Sequence, residues 1–272
     1  MRGPASTSTR PSLTSMLLGF VSLALLGITM HSGAQSEAKS VPAADQSTKG
    51  NVLITGANRG IGLALAQHFK AAGYQVIGTA RTPAEAKELA ESGARVMQLD
   101  VTDAKSVRAL AEALKDQPID ILVNNAGITG SRGSIDALDI DAVERVLAVN
   151  TIGPMRLTQA LLPNLRAAPR KVVISISSGL GSLAGNTSGG HYGYRESKAA
   201  INMFMRSIAA DLKDEGFTCV AMSPGWVRTD MGGPQATLSP ADSAAGIVKV
   251  IESLKTSDSG TFHSHDGKEV AW

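Results

Sequence analysis

Short apolar runs rich in β-branched residues alternate with longer amphipathic segments from residue 51 to the end of the chain. The runs predict seven β-strands, over residues 51–55, 74–79, 94–99, 119–124, 171–177, 217–223 and 260–263. The segments between them predict helices over residues 60–72, 84–92, 104–115, 139–166, 193–214 and 241–254. Strands that alternate with helices are typical of a parallel sheet with helices on both faces. The pattern therefore predicts one α/β domain with a doubly wound sheet.

Two of the predicted helices begin with a capping signal. Thr82 precedes Pro83, and Ser239 precedes Pro240. A hydroxyl at this position accepts a hydrogen bond from a free N–H of the first turn, and proline suits the first helical residue. We therefore expect Thr82 and Ser239 to cap their helices.

The N-terminal 34 residues have a different pattern. A mainly apolar stretch of 15 residues, 16–30, follows the basic Arg2 and Arg10 and precedes Ser32-Gly33-Ala34. This order is typical of a secretory signal peptide, and the stretch is short for a membrane span, which needs about 20 residues. We predict a signal peptide over residues 1–34, with an uncleaved N-terminal anchor or a misplaced start codon as alternatives. A polar linker over 35–50 and a single domain over 51–272 would follow.

Composition excludes several classes of protein. Of the 272 residues, 43% are hydrophobic and 18% charged, which is a globular composition. Beyond residue 34 the basic and acidic residues balance at 24 each, so no excess of positive charge indicates a nucleic-acid partner. Cys219 is the single cysteine and lies in an apolar strand, so neither an internal disulfide nor a cysteine-rich metal site is expected. His263 and His265 lack an obvious third ligand, and we predict no metal site.

The first predicted strand ends in a glycine-rich turn, Thr55-Gly56-Ala57-Asn58-Arg59-Gly60-Ile61-Gly62. Glycines let a phosphate approach the backbone N–H groups at a helix start. The spacing is Gly-x-x-x-Gly-x-Gly, and alone it is equally consistent with a plain strand-to-helix turn. Arg59 lies inside the turn, and the second strand ends at Arg81 with no acid where NAD-selective folds place one. These arginines favour NADP(H) over NAD(H), if they are more than solvated charges.

Tyr194 and Lys198 are spaced so that they share one face of a helix. A tyrosine has an ordinary pKa near 10, which a neighbouring cation lowers. We therefore expect Lys198 to lower the pKa of Tyr194 and make it an acid/base. The motif alone is weak, but polar and glycine-containing motifs also follow the fourth, fifth and sixth strands: Asn124-Asn125-Ala126-Gly127, Ser177-Ser178-Gly179 and Pro224-Gly225.

Together these motifs make residues 51–272 resemble the short-chain dehydrogenase/reductase family. Around residues 181–195 and 224–233 the chain is similar to the C-factor and sniffer type of carbonyl reductase. The resemblance implies a Rossmann-type fold of about seven strands and hydride transfer between a nicotinamide cofactor and a carbonyl or alcohol substrate. It also implies a homodimer, formed along the helix that carries the apolar stripe of residues 143–162.

The resemblance also assigns roles to individual residues. Tyr194 would be the acid/base, Lys198 would hold the nicotinamide ribose, and Asn150 would anchor a proton-relay water. A serine after the fifth strand would polarise the substrate oxygen. The predicted cofactor-binding residues are Gly56, Asn58, Arg59, Gly60, Ile61, Gly62, Arg81, Asp100, Val101, Asn124, Ala126, Gly127, Tyr194, Lys198, Pro224, Gly225, Val227 and Thr229.

The position of the serine departs from the family pattern. The family places it 13 residues before the tyrosine, where this chain has Gly181. An insertion of three residues within the loop 186–191 accounts for the difference and makes Ser178 the first candidate. Ser182 is the second candidate, and Ser177 would point to the opposite side of the strand.

Two functions follow as hypotheses. The first is an NADP-dependent carbonyl reductase acting on a small aldehyde, ketone or quinone, and the second is a dinucleotide-binding sensor or signalling protein that keeps the fold. The N-terminal segment predicts export or membrane anchoring, whereas free NADPH suits the cytoplasm, so the compartment stays open. The short, Gly- and Pro-containing segment 229–239 predicts an open pocket.

Overall fold

A single parallel sheet organises residues 48–272, the part of the chain that the computed structural model describes. Its strand order is β3-β2-β1-β4-β5-β6-β7. The strands are β1 (Asn51–Ile54), β2 (Gln75–Ala80), β3 (Arg95–Gln98), β4 (Ile121–Asn124), β5 (Val172–Ile176), β6 (Thr218–Ser223) and β7 (Phe262–Ser264). All seven predicted strands are present, each within two residues of its predicted bounds, and the single-domain, doubly wound fold is confirmed.

Helices cover both faces of the sheet. They are α1 (Gly60–Ala71), α2 (Lys87–Glu91), α3 (Ala104–Ala113), α4 (Ile140–Leu147), α5 (Gly153–Ala160), α6 (Leu162–Arg166), α7 (Tyr194–Asp211) and α8 (Pro240–Ser253). The apolar sides of α1, α2 and α8 pack on one face, and those of α3, α5 and α7 on the other. None of the helices within residues 48–272 has the length and apolar character that crossing a bilayer requires.

Alternation along the central strands divides the hydrophobic core into these two layers. In β1, Val52 and Ile54 face the layer of α1 and α8, while Leu53 faces the opposite layer. Cys219 in β6 is fully buried in the second layer, and burial raises the pKa of its thiol to about 12. A buried thiol of this kind packs as a small apolar side chain.

Strand β1 lies between β2 and β4 and pairs in parallel with both. From β1, the strands follow toward one edge of the sheet as β2 and β3 and toward the other edge as β4 to β7. Chain connections leave β1 toward one edge and β4 toward the other, so a crevice forms beyond the carboxyl ends of these two strands. Every motif that the sequence singled out for chemistry follows the carboxyl end of a strand or starts the helix that comes next. The fold therefore gathers them along one edge of the sheet.

The predicted continuous helix over residues 139–166 is wrong. The segment consists of α4, a π-helical turn over Ala148–Ile152, α5 and, after a break at Leu161, α6. Pro154 and Pro163 each lie in the first turn of a new segment. Proline lacks the N–H that an uninterrupted helix would need at these positions, so each proline starts a new segment.

Two further helix predictions need correction. Residues 84–92 form a 3₁₀ turn over Pro83–Glu85 and the short α2, and Thr82 makes no capping hydrogen bond. The helix predicted over 193–214 ends at Asp211 and is followed by a 3₁₀ turn. Ser239 does cap α8, because its hydroxyl accepts a hydrogen bond from the backbone N–H of Asp242. The predicted signal peptide and its alternatives lie outside the described residues.

Candidate active site

The glycine-rich turn after β1 is folded as a cradle. Gly56 and Gly60 have positive φ of 61° and 55°, a conformation that side chains with a Cβ rarely adopt. A Cβ on Gly56 would lie 3.0 Å from the Cα of Ala126, and one on Gly62 would lie 2.3 Å from the Gly56 carbonyl oxygen. Glycine is therefore required here for close packing as well as for the turn.

The cradle is joined to the segment after β4. The Thr55 hydroxyl accepts hydrogen bonds from the backbone N–H groups of Asn125 and Ala126, both at 2.9 Å. The Asn125 side-chain amide donates to the carbonyls of Thr55 and Gly56. The sequence alone assigned no role to Thr55 or Asn125, although both lie within the motifs that follow β1 and β4. Their hydrogen bonds fix the shape of the crevice.

Helix α1 begins at the cradle, at Gly60, with its N-terminus unblocked. The Arg59 side chain makes no capping bond, and no acidic residue lies in the first turn. Free N–H groups and the helix dipole favour an anion at such a place. Asn58 is exposed in the turn and Ile61 is half-buried in the first turn of α1. The cradle can therefore accept a pyrophosphate.

Two arginines lie near the outer end of the crevice. Arg59 donates to the carboxylate of Asp230 at 2.7 Å, and both side chains are highly exposed. Arg81 is exposed directly after β2. Hydrogen bonds from Thr102, with a smaller contribution from Arg81, hold the pKa of Asp100 below its usual range. Val101 is buried next to it.

The end of β4 contributes a buried amide. Asn124 is 3% exposed, and its amide nitrogen donates to the hydroxyl of Thr158 at 3.1 Å. Its Oδ1 atom is buried and has no hydrogen-bond partner within residues 48–272. A Cβ on Gly127 would lie 3.3 Å from the Asn150 Oδ1 atom and 3.7 Å from the Lys198 ammonium nitrogen. The segment after β4 thus lies next to the side chains of Asn150 and Lys198.

Asn150 lies in the π-helical turn between α4 and α5 and is 2% exposed. Its Oδ1 atom accepts from the backbone N–H of Ile128 at 2.8 Å, and its amide nitrogen donates to the Ile128 carbonyl and the Ser197 hydroxyl. π-Turns inside helices occur frequently at functional sites. The π-helical turn thus contains an asparagine whose side chain bridges the segment after β4 and helix α7.

The structure brings Ser178 and Tyr194 together. Tyr194 is the first residue of α7, and the Ser178 hydroxyl lies near enough to the Tyr194 hydroxyl to influence its pKa. Burial raises the pKa of Tyr194, and the Ser178 hydroxyl only partly offsets this. The expectation that the pKa of Tyr194 is lowered is therefore wrong, because loss of hydration dominates.

The other two serines have different partners. Ser177 is buried, and its hydroxyl donates to the Asn202 side chain at 2.6 Å. Ser182 accepts a hydrogen bond from the backbone N–H of Gly185 at 3.0 Å. Of the three, Ser178 is the one whose hydroxyl influences the pKa of Tyr194. The geometry favours Ser178 over Ser182.

Lys198 is a buried ammonium beside Tyr194. Its nitrogen lies 5.5 Å from the centre of the Tyr194 ring and donates to the carbonyl of Ile176 at 2.7 Å. Burial lowers the pKa of Lys198 to about 8. None of the ion pairs formed by residues 48–272 includes it. The lysine thus keeps donor capacity for a ligand.

The segment after β6 closes the site on its other side. Pro224 is buried, and its carbonyl accepts from the Ser243 hydroxyl, while Gly225 has a φ of 77°. Val227 pairs with Leu238 in an isolated parallel bridge. Thr229 lies against the cradle, since a Cβ on Gly60 would be 3.3 Å from its methyl group. Arg59 and Arg132 contact the next two residues, Asp230 and Met231. The short segment is therefore tied to both sides of the crevice.

The groups that line the crevice suit a dinucleotide. Glycines without room for a Cβ, an unblocked helix N-terminus, an orphaned buried amide oxygen and a lysine with free donor capacity follow one another along the crevice. These groups suit a pyrophosphate and a ribose, so the residues present fit a nicotinamide dinucleotide. No group of three metal-ligating side chains occurs in residues 48–272.

A Rossmann-type sheet with this crevice is typical of the dinucleotide-binding oxidoreductases. Comparison with known proteins identifies the family within that class. The model of the short chain dehydrogenase family matches residues 50–238. The chain therefore belongs to the short-chain dehydrogenase/reductase family, as its motifs predicted.

Individual relatives place it within that family. The chain is 46% identical to the C-signal of Myxococcus xanthus over 166 residues, which cover 61% of this chain and 100% of that protein. The NADPH-bound carbonyl reductase from chicken fatty liver has a TM-score of 0.77 at 37% identity, over 82% of this chain and 98% of that one. The carbonyl reductase Sniffer of D. melanogaster has a TM-score of 0.77 at 36% identity, over 82% and 99%. The predicted similarity to this subgroup is confirmed.

Proposed function

We propose that this protein is an NADP-dependent carbonyl reductase that acts on a small aldehyde, ketone or quinone. The observation that carries the proposal is the grouping of Tyr194, the neighbouring Ser178 hydroxyl and the buried Lys198 ammonium in the crevice that also contains the glycine cradle. A protein that only bound a dinucleotide would have no need for an acid and an oxygen-binding hydroxyl at this point.

Successive groups of residues along the crevice would hold successive parts of the cofactor. The cradle of Gly56, Gly60 and Gly62 would bind the pyrophosphate. Asn124, Ala126 and Gly127 would line its centre, and Pro224, Gly225, Val227 and Thr229 would face the nicotinamide amide. Arg59 and Arg81 would bind a phosphate on the adenosine ribose, which favours NADP(H). The similarity to a carbonyl reductase whose structure contains NADPH supports this choice.

When bound, NADPH supplies a hydride, which forms the new C–H bond at the carbonyl carbon of the substrate. The hydroxyl of Ser178 would donate to the carbonyl oxygen and polarise it. Tyr194 would give its proton to that oxygen as the negative charge develops. Its raised pKa keeps Tyr194 protonated at neutral pH, which is the state that reduction needs.

After each turnover the Tyr194 phenolate must regain a proton. The Lys198 ammonium, close to the Tyr194 ring, would stabilise the phenolate and also hold the nicotinamide ribose. Asn150 would support the proton path, because its side chain contacts Ser197, which precedes Lys198. The set would therefore supply a proton donor, a stabilising cation and an asparagine that supports the proton path.

The proposal is tested by titrating purified protein with NADPH and NADH and then following NADPH oxidation with aldehydes, ketones and quinones. We expect micromolar or tighter NADPH binding, weaker NADH binding, and turnover of at least one carbonyl class. Binding of NADPH without turnover of any carbonyl would contradict the reductase. Binding of neither cofactor would overturn the proposed cofactor site as well.

The second candidate is a dinucleotide-binding sensor or signalling protein. It is favoured by one observation, the 46% identity to a protein named C-signal. NADPH binding without turnover would support it over the reductase. We further propose export or anchoring through residues 1–34, which comparison of the N-terminal sequence of mature protein from its host would test.

A further inference from the structure

Arg195, the residue directly after Tyr194, places a guanidinium in the interior of the protein. It is 8% exposed, and none of the ion pairs of residues 48–272 involves it. Burying an arginine without a carboxylate partner is costly unless its N–H groups find other acceptors. Its four acceptors are the carbonyls of Leu180, Gly189 and Gly190 and the hydroxyl of Ser188. The planar head therefore joins two separate segments of chain.

The first segment carries the proposed oxygen-binding serine. The guanidinium donates to the Leu180 carbonyl, and the Leu180 backbone N–H donates to the Ser178 hydroxyl at 3.1 Å. Ser178 in turn lies near enough to the Tyr194 hydroxyl to lower its pKa. Arg195 thus connects to both members of the pair, through the backbone on one side and through Leu180 on the other.

The second segment is the loop 186–191, in which the sequence analysis predicts an insertion of three residues. Gly189, Gly190 and His191 have φ of 61°, 67° and 55° in succession. Two consecutive glycines tolerate this conformation, but His191 is strained in it. The guanidinium fixes the loop because it donates to the Ser188 hydroxyl and to the carbonyls of Gly189 and Gly190. The His191 carbonyl then accepts from the backbone N–H groups of Tyr194 and Arg195, where α7 begins.

We propose that Arg195 is a positioning residue that sets the Ser178–Tyr194 geometry by holding the loop 186–191 and Leu180 against the start of α7. The proposal rests on the proposed reductase function. It predicts that loss of the guanidinium impairs turnover more than cofactor binding, because no acceptor of Arg195 belongs to the cofactor cradle.

The test compares Arg195→Met, Arg195→Lys and a control, Arg206→Met, in the full chain. Arg206 is an exposed arginine of the same helix. For Arg195→Met we expect kcat to fall about 10-fold to 100-fold, with the Kd for NADPH changed less than about 2-fold. Arg195→Lys would retain part of the activity, and free guanidinium ion would restore part of it to Arg195→Met. An unchanged kcat per folded molecule, or a loss that guanidinium does not restore, would overturn the proposal.

Hydrogen–deuterium exchange on the same proteins gives a readout that does not need turnover. Arg195→Met should accelerate exchange in residues 178–194, and Arg206→Met should not. If the wild type reduces no carbonyl, the proposed function fails, whereas the exchange experiment still decides whether Arg195 holds these segments. Equal exchange in wild type and Arg195→Met would contradict its positioning role.

Discussion

The ammonium of Lys198 donates to the carbonyl of Ile176 at 2.7 Å, so a buried cation of α7 is tied to the last residue of β5. Burial lowers the pKa of Lys198 to about 8, while burial raises that of Tyr194. As the pH rises through about 8, Lys198 therefore loses its proton while Tyr194 still keeps its own. Of these two groups, Lys198 is therefore the first to lose its proton as the pH rises.

We predict that kcat/KM for carbonyl reduction falls as the pH rises through about 8, because the neutral amine no longer stabilises the developing phenolate. A profile of kcat/KM against pH measures this. In Lys198→Arg the overall rate should be lower, but the fall near pH 8 should disappear, since a guanidinium stays charged there. The same inflection in both proteins would assign it to another group.

A second prediction separates the two candidate serines. Ser178→Ala should lower kcat about 100-fold, because one donor to the carbonyl oxygen is lost. Ser182→Ala should leave kcat unchanged and lower the free energy of unfolding by about 1 kcal/mol, because the Gly185 N–H loses its acceptor. Kinetics and urea denaturation of both variants measure the difference. A larger kinetic effect at Ser182 would reverse the assignment.

Cofactor selection gives a third prediction. Arg59→Ala and Arg81→Ala should each weaken NADPH binding about 10-fold to 100-fold, because a charge-assisted bond to the ribose phosphate is lost. NADH binding, which lacks this phosphate, should change less than about 2-fold. Arg95→Ala serves as the control, since Arg95 contacts Gln117 at the amino end of β3. Equal losses for both cofactors would rule out recognition of the phosphate by these arginines.

A fourth prediction concerns the homodimer, which we propose forms along α4, α5 and α7. Ile152 and Met203 are apolar but exposed, at 46% and 65%. We expect the wild type to be a dimer in solution and Met203→Lys to shift it toward monomer, because the charge would be buried in the interface. Light scattering after gel filtration measures the mass. Exposed Leu183→Lys is the control, and a monomeric wild type would contradict the prediction.

The sequence predicted the strands, the sheet and the motifs at the strand ends because each is a local pattern of a few residues. For example, successive side chains of a strand point to opposite faces of the sheet, so Val52 and Ile54 lie in one hydrophobic layer and Leu53 lies in the other. The π-turn around Asn150 was missed because helical periodicity over 139–166 does not record one extra residue. The hydrogen bonds of Arg195 and the ion pair of Arg59 with Asp230 join residues distant in sequence or depend on loop conformation, so no spacing rule reveals them.

The central claim is that Tyr194 transfers the proton during carbonyl reduction. The most direct test is the rate of NADPH oxidation by wild type and Tyr194→Phe with the same carbonyl substrate, together with the Kd for NADPH of each protein. Tyr192→Phe, a tyrosine two residues earlier, is the matched control. The account predicts a loss in kcat of about 100-fold or more for Tyr194→Phe, with nearly unchanged NADPH binding and a normal rate for Tyr192→Phe. Turnover by Tyr194→Phe at the wild-type rate would contradict it.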